Sequence, residues 1–320
     1  MQRASIQAPS AVVVIRPRHF EPNPATAIDN TFQTPAFSTS ALADALEAVA
    51  ASAWQEVTEV AATLRAHGVT VHLFDDERTD RPDAVFPNNW FSTHSGGHIG
   101  VFPMQSPSRR SERRTDVIEL LKHDYRVQEV IDYSGLEYDD VFLEGTGAMV
   151  LDHVSRVAYT VRSARADPIA LERFCTNFGY EPMAFDAVDE AGHPVYHTNV
   201  LMCIATDFVL IGLDFIADAR RRAQVVERLA APGRTIVDLS PAQIREFAGN
   251  AIELQGRNGR ILAMSARALA SLDATQRAVI EASCAIVPLA VPTIELAGGS
   301  VRCMLAGIHL DPRPAHPVVE

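Results

Sequence analysis

Short apolar runs and longer amphipathic stretches alternate along this chain, and the alternation predicts its elements. Ala11–Ile15 (AVVVI) is β-branched, brief and stopped by Arg16-Pro17, which predicts a buried strand. Ser38–His67 carries Leu42, Leu46, Val49, Trp54, Val57, Val60 and Leu64 at helical spacing, with Ser40 as a cap and Gly68 as a stop. A strand follows at Val69–Phe74. Short strands are then expected at Ala84–Phe86, Trp90–Thr93 and His98–Val101, a helix at Thr115–His123 and a strand at Val127–Ile131.

The same rhythm continues. Ala148–Leu151 and Val157–Val161 read as a strand pair, Pro168–Phe178 as a helix opened by proline, and Met183–Phe185 as a strand. Asn199–Ala205 and Phe208–Gly212 form the next pair, followed by a helix at Asp218–Ala230 and an extended Thr235–Asp238. Beyond a short helix at Pro241–Phe247, Ala251–Leu254 and Ile261–Met264 predict a hairpin, Ser265–Leu272 and Ala274–Ser283 helices, and Ala285–Val287 and Val301–Leu305 strands. Two short strands, a helix and another strand thus recur at roughly 50 to 70 residues, without obvious internal identity. A doubly wound sheet would alternate single strands and helices, so a ββαβ module repeated in a ring fits better. The polar stretch Arg18–Thr39 contains no element. A structureless stretch that long either crosses the surface or lines a site.

Composition narrows the function. The 320 residues are 47% hydrophobic, enough for a large core, and one catalytic domain over residues 1–320 is expected. A formal charge of -12 argues against a nucleic-acid partner, and the single basic cluster (Arg109, Arg110, Arg113, Arg114) reads as a solvated helix start. Four widely spaced cysteines without a CxxC suit a reducing compartment. With no signal-like N-terminus and no apolar stretch long enough to span a bilayer, the expected location is cytoplasmic, away from any membrane. No GxGxxG or P-loop occurs, and His94, His98 and His123 form no HxH or HExxH, so neither a cofactor nor a metal is expected. A homodimer is expected only from the prevalence of twofold assemblies.

Chemistry concentrates in three glycine-containing or polar segments at strand ends: Phe142-Leu-Glu-Gly-Thr-Gly147, Tyr196-His-Thr-Asn199 and Gly298-Gly-Ser-Val-Arg-Cys303. Cys303 could be a nucleophile or a small buried hydrophobe, the role that Cys175 and Cys203 suit. His197 can act as acid and base near neutrality, and Glu144 can fix the imidazole or bind a substrate N–H.

These segments resemble the guanidine-modifying superfamily of arginine deiminases, dimethylarginine dimethylaminohydrolases, agmatine deiminases, succinylarginine dihydrolases and amidinotransferases. The resemblance is greatest to the citrulline-utilisation hydrolases. It runs from VIRPRHFEPNPATAIDNTF through FPNNWFSTH, FLEGTGAMVLDH, YHTNVLMCIA and FAGNAIEL to GGSVRCMLAGIHL. It implies a five-bladed α/β propeller, the pentein fold of pseudo-repeated ββαβ modules. It also implies Cys303 as covalent nucleophile, His197 as acid/base and Glu144 as the supporting carboxylate, with Arg162 or Arg109 for a substrate carboxylate.

One departure from the family pattern speaks to the substrate. Where arginine deiminases carry two aspartates that grip a guanidinium, this chain resembles them with Asn89, in Phe86-Pro-Asn88-Asn89, and Asn199. Carboxylates suit a cation that offers only N–H donors, whereas an amide both donates to and accepts from a neutral ureido group. With Phe86 and Asn88 beside them, these amides favour the ureido group of citrulline, an amino-acid-like small molecule, over the guanidinium of arginine. The alternatives are an arginine deiminase or dimethylarginine dimethylaminohydrolase activity, an amidinotransferase, and a non-catalytic binding protein on the same scaffold.

Overall fold

Strand β1 (Ala11–Pro17) holds a position that its place at the start of the chain would not suggest. It is the middle strand of a sheet whose inner edge comes from the end of the chain and whose outer edge is β2 (Thr70–Asp76). The computed structural model describes residues 6–27, 29–34 and 42–314. Four more three-stranded sheets follow in order. They are β3 (Phe91–His94), β4 (His98–Val101) and β5 (Glu129–Asp132); then β6 (Met149–Asp152), β7 (Val157–Val161) and β8 (Glu181–Phe185). Next come β9 (Met202–Ile204), β10 (Phe208–Ile211) and β11 (Thr235–Asp238), and then β12 (Ile252–Gly256), β13 (Gly259–Ser265) and β14 (Ala285–Leu289). β15 (Ala306–Gly307) completes the first sheet by pairing antiparallel with β1, Val12 opposite Gly307 and Val13 opposite Ala306.

Every sheet has the same grammar. The inner strand pairs antiparallel with the middle one, and the middle strand pairs parallel with the outer one. Parallel neighbours need a crossover, and helices supply it: Leu42–Ala66, Thr115–Asp124, Pro168–Phe178, Ala219–Ala230 and the pair Ala266–Ser271 with Ala274–Glu281. Burial grades outward. All residues of β6, β7 and β10 are buried, whereas the outer strands β8, β11 and β14 alternate with exposed positions. The helices dock by apolar stripes such as Val57, Val60 and Leu64, each worth about 1.5–3 kcal/mol when fully buried. Their starts are set locally: Asp167 accepts from Ile169 N at 2.7 Å ahead of Pro168, and Asp273 with Gln276 forms a reciprocal cap.

Five repeats of ββαβ are therefore the architecture, an α/β pentein fold as expected. Several boundaries differ from expectation. Ala84–Phe86 forms no strand, and the basic cluster is not a solvated helix start. It lies around a 3-10 turn at Pro107–Glu112 in which Arg109 is buried, and Arg113 pairs with Glu137. The expected strands Ala148–Leu151, Asn199–Ala205 and Val301–Leu305 begin late or give way, because one-turn helices (Gly145–Ala148, Thr198–Leu201, Val301–Met304) lie at their starts. The apolar run continues unbroken from turn into strand, so periodicity could not separate them. A comparable 3-10 turn, Pro87–Asn89, precedes β3.

These turns cross-link the ring. Thr146 Oγ1 donates to Asn88 O (3.1 Å), Thr198 Oγ1 to Ala148 O (2.5 Å), Asn250 Nδ2 to Asn199 O (3.0 Å), and Arg302 N to Asn250 Oδ1 (3.0 Å). Four of the five entry turns are thus fastened to the one before. The turns hold the residues of interest at one end of the inner strands. The cap expected at Ser40 lies outside the described residues.

Candidate active site

Three inner-strand entry turns and the described part of segment 18–34 enclose a small buried cavity lined by Asn30, Phe86, Asn89, Arg165, His197 and Cys303, among others. Cys303 lies in the turn Val301–Met304, His197 is the residue before Thr198–Leu201, and Glu144 precedes Gly145–Ala148. His197 and Glu144 occupy matching positions five residues ahead of β9 and β6. The repeat itself therefore brings them together, with Nε2 of His197 2.9 Å from Oε2 of Glu144.

That contact fixes the histidine. With the carboxylate on Nε2–H, the imidazole keeps Nδ1 unprotonated, the tautomer a base needs. Gly147 leaves room for it: a Cβ there would come within 2.8 Å of His197 Nδ1 and 2.1 Å of the Asn89 side-chain amide. Burial lowers the pKa of His197, and the Glu144 carboxylate partly restores it. For Glu144 itself, burial works to raise the pKa, but Arg165, His197 and Arg109 outweigh it and hold the group well below the usual carboxylate range. Arg165 Nη1 is 3.5 Å and Arg109 Nη1 3.7 Å from the same oxygen, while Oε1 accepts from Gln105 N at 3.0 Å.

Around the sulfur the groups are amides. Asn199 Nδ2 lies 3.2 Å and Asn250 Nδ2 3.3 Å from Cys303 Sγ, both buried. The side-chain oxygen of Asn199 is buried without a hydrogen-bond partner. In the orientation its neighbours require, the Asn89 amide oxygen accepts from Arg109 (2.9 and 3.2 Å) and its nitrogen donates to Asn88 Oδ1 (3.1 Å). Gly299 lets the chain pass beneath Phe86, since a Cβ there would sit 2.7 Å from that ring.

The site carboxylates all have partners. Glu112 chelates Arg109 at 2.9–3.2 Å, Asp83 lies 3.6 Å from Arg109, and Asp29 forms a two-pronged pair with Arg165. Segment 18–34 forms no helix or strand among its described residues and lines the site. Asn23 Nδ2 donates to Asp83 (2.8 Å), and Asn30 Nδ2 donates to Ala297 O (3.1 Å).

Of the expected site residues, Cys303, His197, Glu144, Asn89, Asn199, Asn88, Phe86 and Arg109 are placed at or beside this cavity. Arg162 is not. Its guanidinium is half exposed and 3.3 Å from Asp186, outside the cavity. Arg165, three residues later, enters instead, its guanidinium 4.8 Å from the Tyr196 ring centroid. Arg109 is committed to Glu112, Asp83 and Asn89. Asn250 went unrecognised although FAGNAIEL belongs to the pattern; its place ahead of an inner strand, like that of Asn199, was the available signal. Among the described residues no cluster of three or more His, Cys, Asp or Glu side chains could hold a metal, and no helix is long and apolar enough to cross a membrane.

Five sheets around a buried polar centre define the class, and comparison with known proteins agrees. The sequence model of the eukaryotic N,N dimethylarginine dimethylhydrolase family matches residues 16–310, nearly the whole chain. The chain belongs to that family, within the amidinotransferase and arginine deiminase superfamily, and is a hydrolase of non-peptide carbon–nitrogen bonds. A search of curated protein sequences gave no match. Among solved structures, the fold is similar to the N-terminal domain of ArgZ bound to substrate, an arginine dihydrolase from the ornithine–ammonia cycle in cyanobacteria. The TM-score is 0.69 at 16% identity, covering 93% of this chain and 97% of that one. Unliganded AgrE gives 0.72 at 16% identity over 95% of this chain, which spans only 40% of AgrE. The DDAH from Pseudomonas aeruginosa in complex with citrulline gives 0.59 at 14% identity, covering 94% and 100%. At these identities what is shared is the fold.

Proposed function

We propose that the protein hydrolyses the ureido group of citrulline to ornithine, ammonia and carbon dioxide. The observation that carries this reading is the amide surround of Cys303. Asn199 and Asn250 reach the sulfur, Asn89 lines the same cavity, and every carboxylate of the site is already paired with Arg109, Arg165 or His197. A guanidinium would enter without a free anion to receive it. A neutral ureido group needs donors for its oxygen and acceptors for its nitrogens, and amides supply both.

The chemistry uses each group once. Neutral His197 takes the Cys303 thiol proton through Nδ1, and the thiolate adds to the ureido carbon. The amide N–H groups of Asn199 and Asn250 receive the negative charge developing beside the sulfur. Protonation by His197 expels one nitrogen and leaves a carbamoyl thioester on Cys303. Water, deprotonated by the same imidazole, then cleaves the C–S bond. The carbamate released, or formed on the remaining nitrogen, breaks down to amine and carbon dioxide, so citrulline and one water balance ornithine, ammonia and carbon dioxide. Glu144 steadies the imidazolium in both halves.

Family membership favours a second reading, hydrolysis of a guanidino substrate such as arginine or a methylated arginine. Purified protein incubated with citrulline, arginine, dimethylarginine, agmatine and succinylarginine, with C303S alongside, separates the two. Ornithine and ammonia from citrulline, absent with C303S, is the expected result. Citrulline accumulating from arginine, with none consumed when supplied, would sink the proposal.

A further inference from the structure

The inner strands of all five sheets run away from the catalytic turns and converge on a second cavity, on the far side of the Cys303 turn. Its lining includes Thr93, Leu151, His153, Cys203, Arg302 and His309. We propose that this cavity is a binding site for a small oxyanion held by Arg302, a site separate from the one that binds substrate.

Arg302 is the reason. Its Nη1 donates to Leu305 O at 3.0 Å, and its guanidinium forms no ion pair with a carboxylate among the described residues. Arg302 is partly buried, lines the cavity and has donors left over beyond its one carbonyl partner, so it can receive an anion there. The fully buried arginines near the ring axis are each matched to carboxylate, Arg109 to Glu112, Arg165 to Asp29 and Arg234 to Asp152, whereas Arg302 is not. Glu253 lines the same cavity without reaching Arg302: its Oε2 accepts from Thr206 N (2.8 Å) and Thr206 Oγ1 (2.6 Å), and its Oε1 lies 3.5 Å from Arg260 without a hydrogen bond.

The remaining lining suits an anion. With the Tyr180 hydroxyl donating to His153 Nδ1 (3.0 Å), the other ring nitrogen carries the hydrogen and can donate to an anion, and the ring stacks on His309 with centroids 3.6 Å apart. The cavity measures about 50 Å³, and a water needs roughly 10–15 Å³ by the same measure. That is room for an ion the size of bicarbonate or phosphate. A guanidinium edge matches two oxygens of such an ion. Gln7 seals the outer end, donating to Leu151 O and Ile204 O (both 3.0 Å) and accepting from His153 N (3.0 Å).

The experiment is a calorimetric titration of full-length C303S with inorganic phosphate and, separately, bicarbonate, against chloride at equal ionic strength. Saturable millimolar binding is expected for one or both oxyanions, unchanged by saturating citrulline and weakened at least tenfold in the C303S/R302Q double variant. The anion that saturates at lower concentration identifies the natural class. Absence of saturation by both anions, equal affinity in the double variant, or displacement by citrulline would each overturn the proposal. Should the double variant fail to fold by circular dichroism, wild-type crystals soaked in selenate decide the matter. An anomalous peak beside Arg302 supports the site, and an empty cavity refutes it.

Discussion

Asn250 Nδ2 stands 3.3 Å from Cys303 Sγ although 53 residues separate them, and the same nitrogen donates to Asn199 O at 3.0 Å. One amide therefore ties together the entry turns of three successive modules and touches the Cys303 sulfur. A hydrogen bond to a charged group contributes about 1.5–3 kcal/mol, so N250A is expected to lower kcat/KM about 10- to 100-fold. It should also slow inactivation by iodoacetamide at pH 7, which a loss of substrate affinity alone would leave unchanged.

In the proposed reading, substrate choice rests on charge at the neighbouring amide. N199D places a carboxylate beside Cys303 while preserving shape. Turnover of citrulline should drop by about tenfold or more, one factor of ten per ~1.4 kcal/mol, and the ratio of arginine to citrulline turnover should rise. A parallel fall for both substrates with an unchanged ratio would argue that Asn199 does not select between them.

The Glu144–His197 pair governs the pH dependence. Burial depresses the His197 pKa below its ordinary 6.5 and Glu144 only partly restores it, so the neutral base persists as pH falls through 6.5. The acid limb of kcat/KM is accordingly expected below pH 6.5. Removing the restoring charge with E144Q should move that limb to still lower pH while reducing the plateau by about 10²- to 10⁴-fold. Rate profiles from pH 4.5 to 8 on both proteins provide the check.

A stability effect arises elsewhere. Ser92, His94, Tyr180 and His153 form a continuous buried hydrogen-bonded chain (2.7, 3.3 and 3.0 Å) that reaches His309 by ring stacking. Burial keeps all three imidazoles neutral, with His309 lowered to about 3. The unfolded chain binds protons near pH 6.5 and the folded one does not, so their contribution is intact above 6.5 and is lost as pH falls below it. Each histidine adds a slope of about 1.4 kcal/mol per pH unit in that interval. Urea melts at pH 7.5, 6.0 and 5.0 should show a steep loss of stability, and H94F should flatten it.

The sequence disclosed the modules because middle strands and crossover helices have distinct apolar periods: Val157–Val161 and Pro168–Phe178 fall where their patterns place them. It concealed the entry turns, since Val200 and Leu201 are as buried as the strand they precede. Cys303, His197 and Glu144 stood out through their segments. Arg165 did not, because Arg162 and Arg165 are alike in composition and only the turn after β7 decides which guanidinium points inward. Asn250 was hidden for a related reason: an asparagine between a glycine and an apolar run also reads as an ordinary turn residue.

The pairing of β15 with β1 has a mechanical consequence. The strand that follows the Cys303 turn is seated against Val12 and Val13 and is also held by Thr93, so two segments far from it in sequence fix its place. The sheets that follow Glu144 and His197 are instead paired from within their own modules. Loosening of β1 would therefore free the sulfur's turn first and leave the imidazole and its carboxylate where they are.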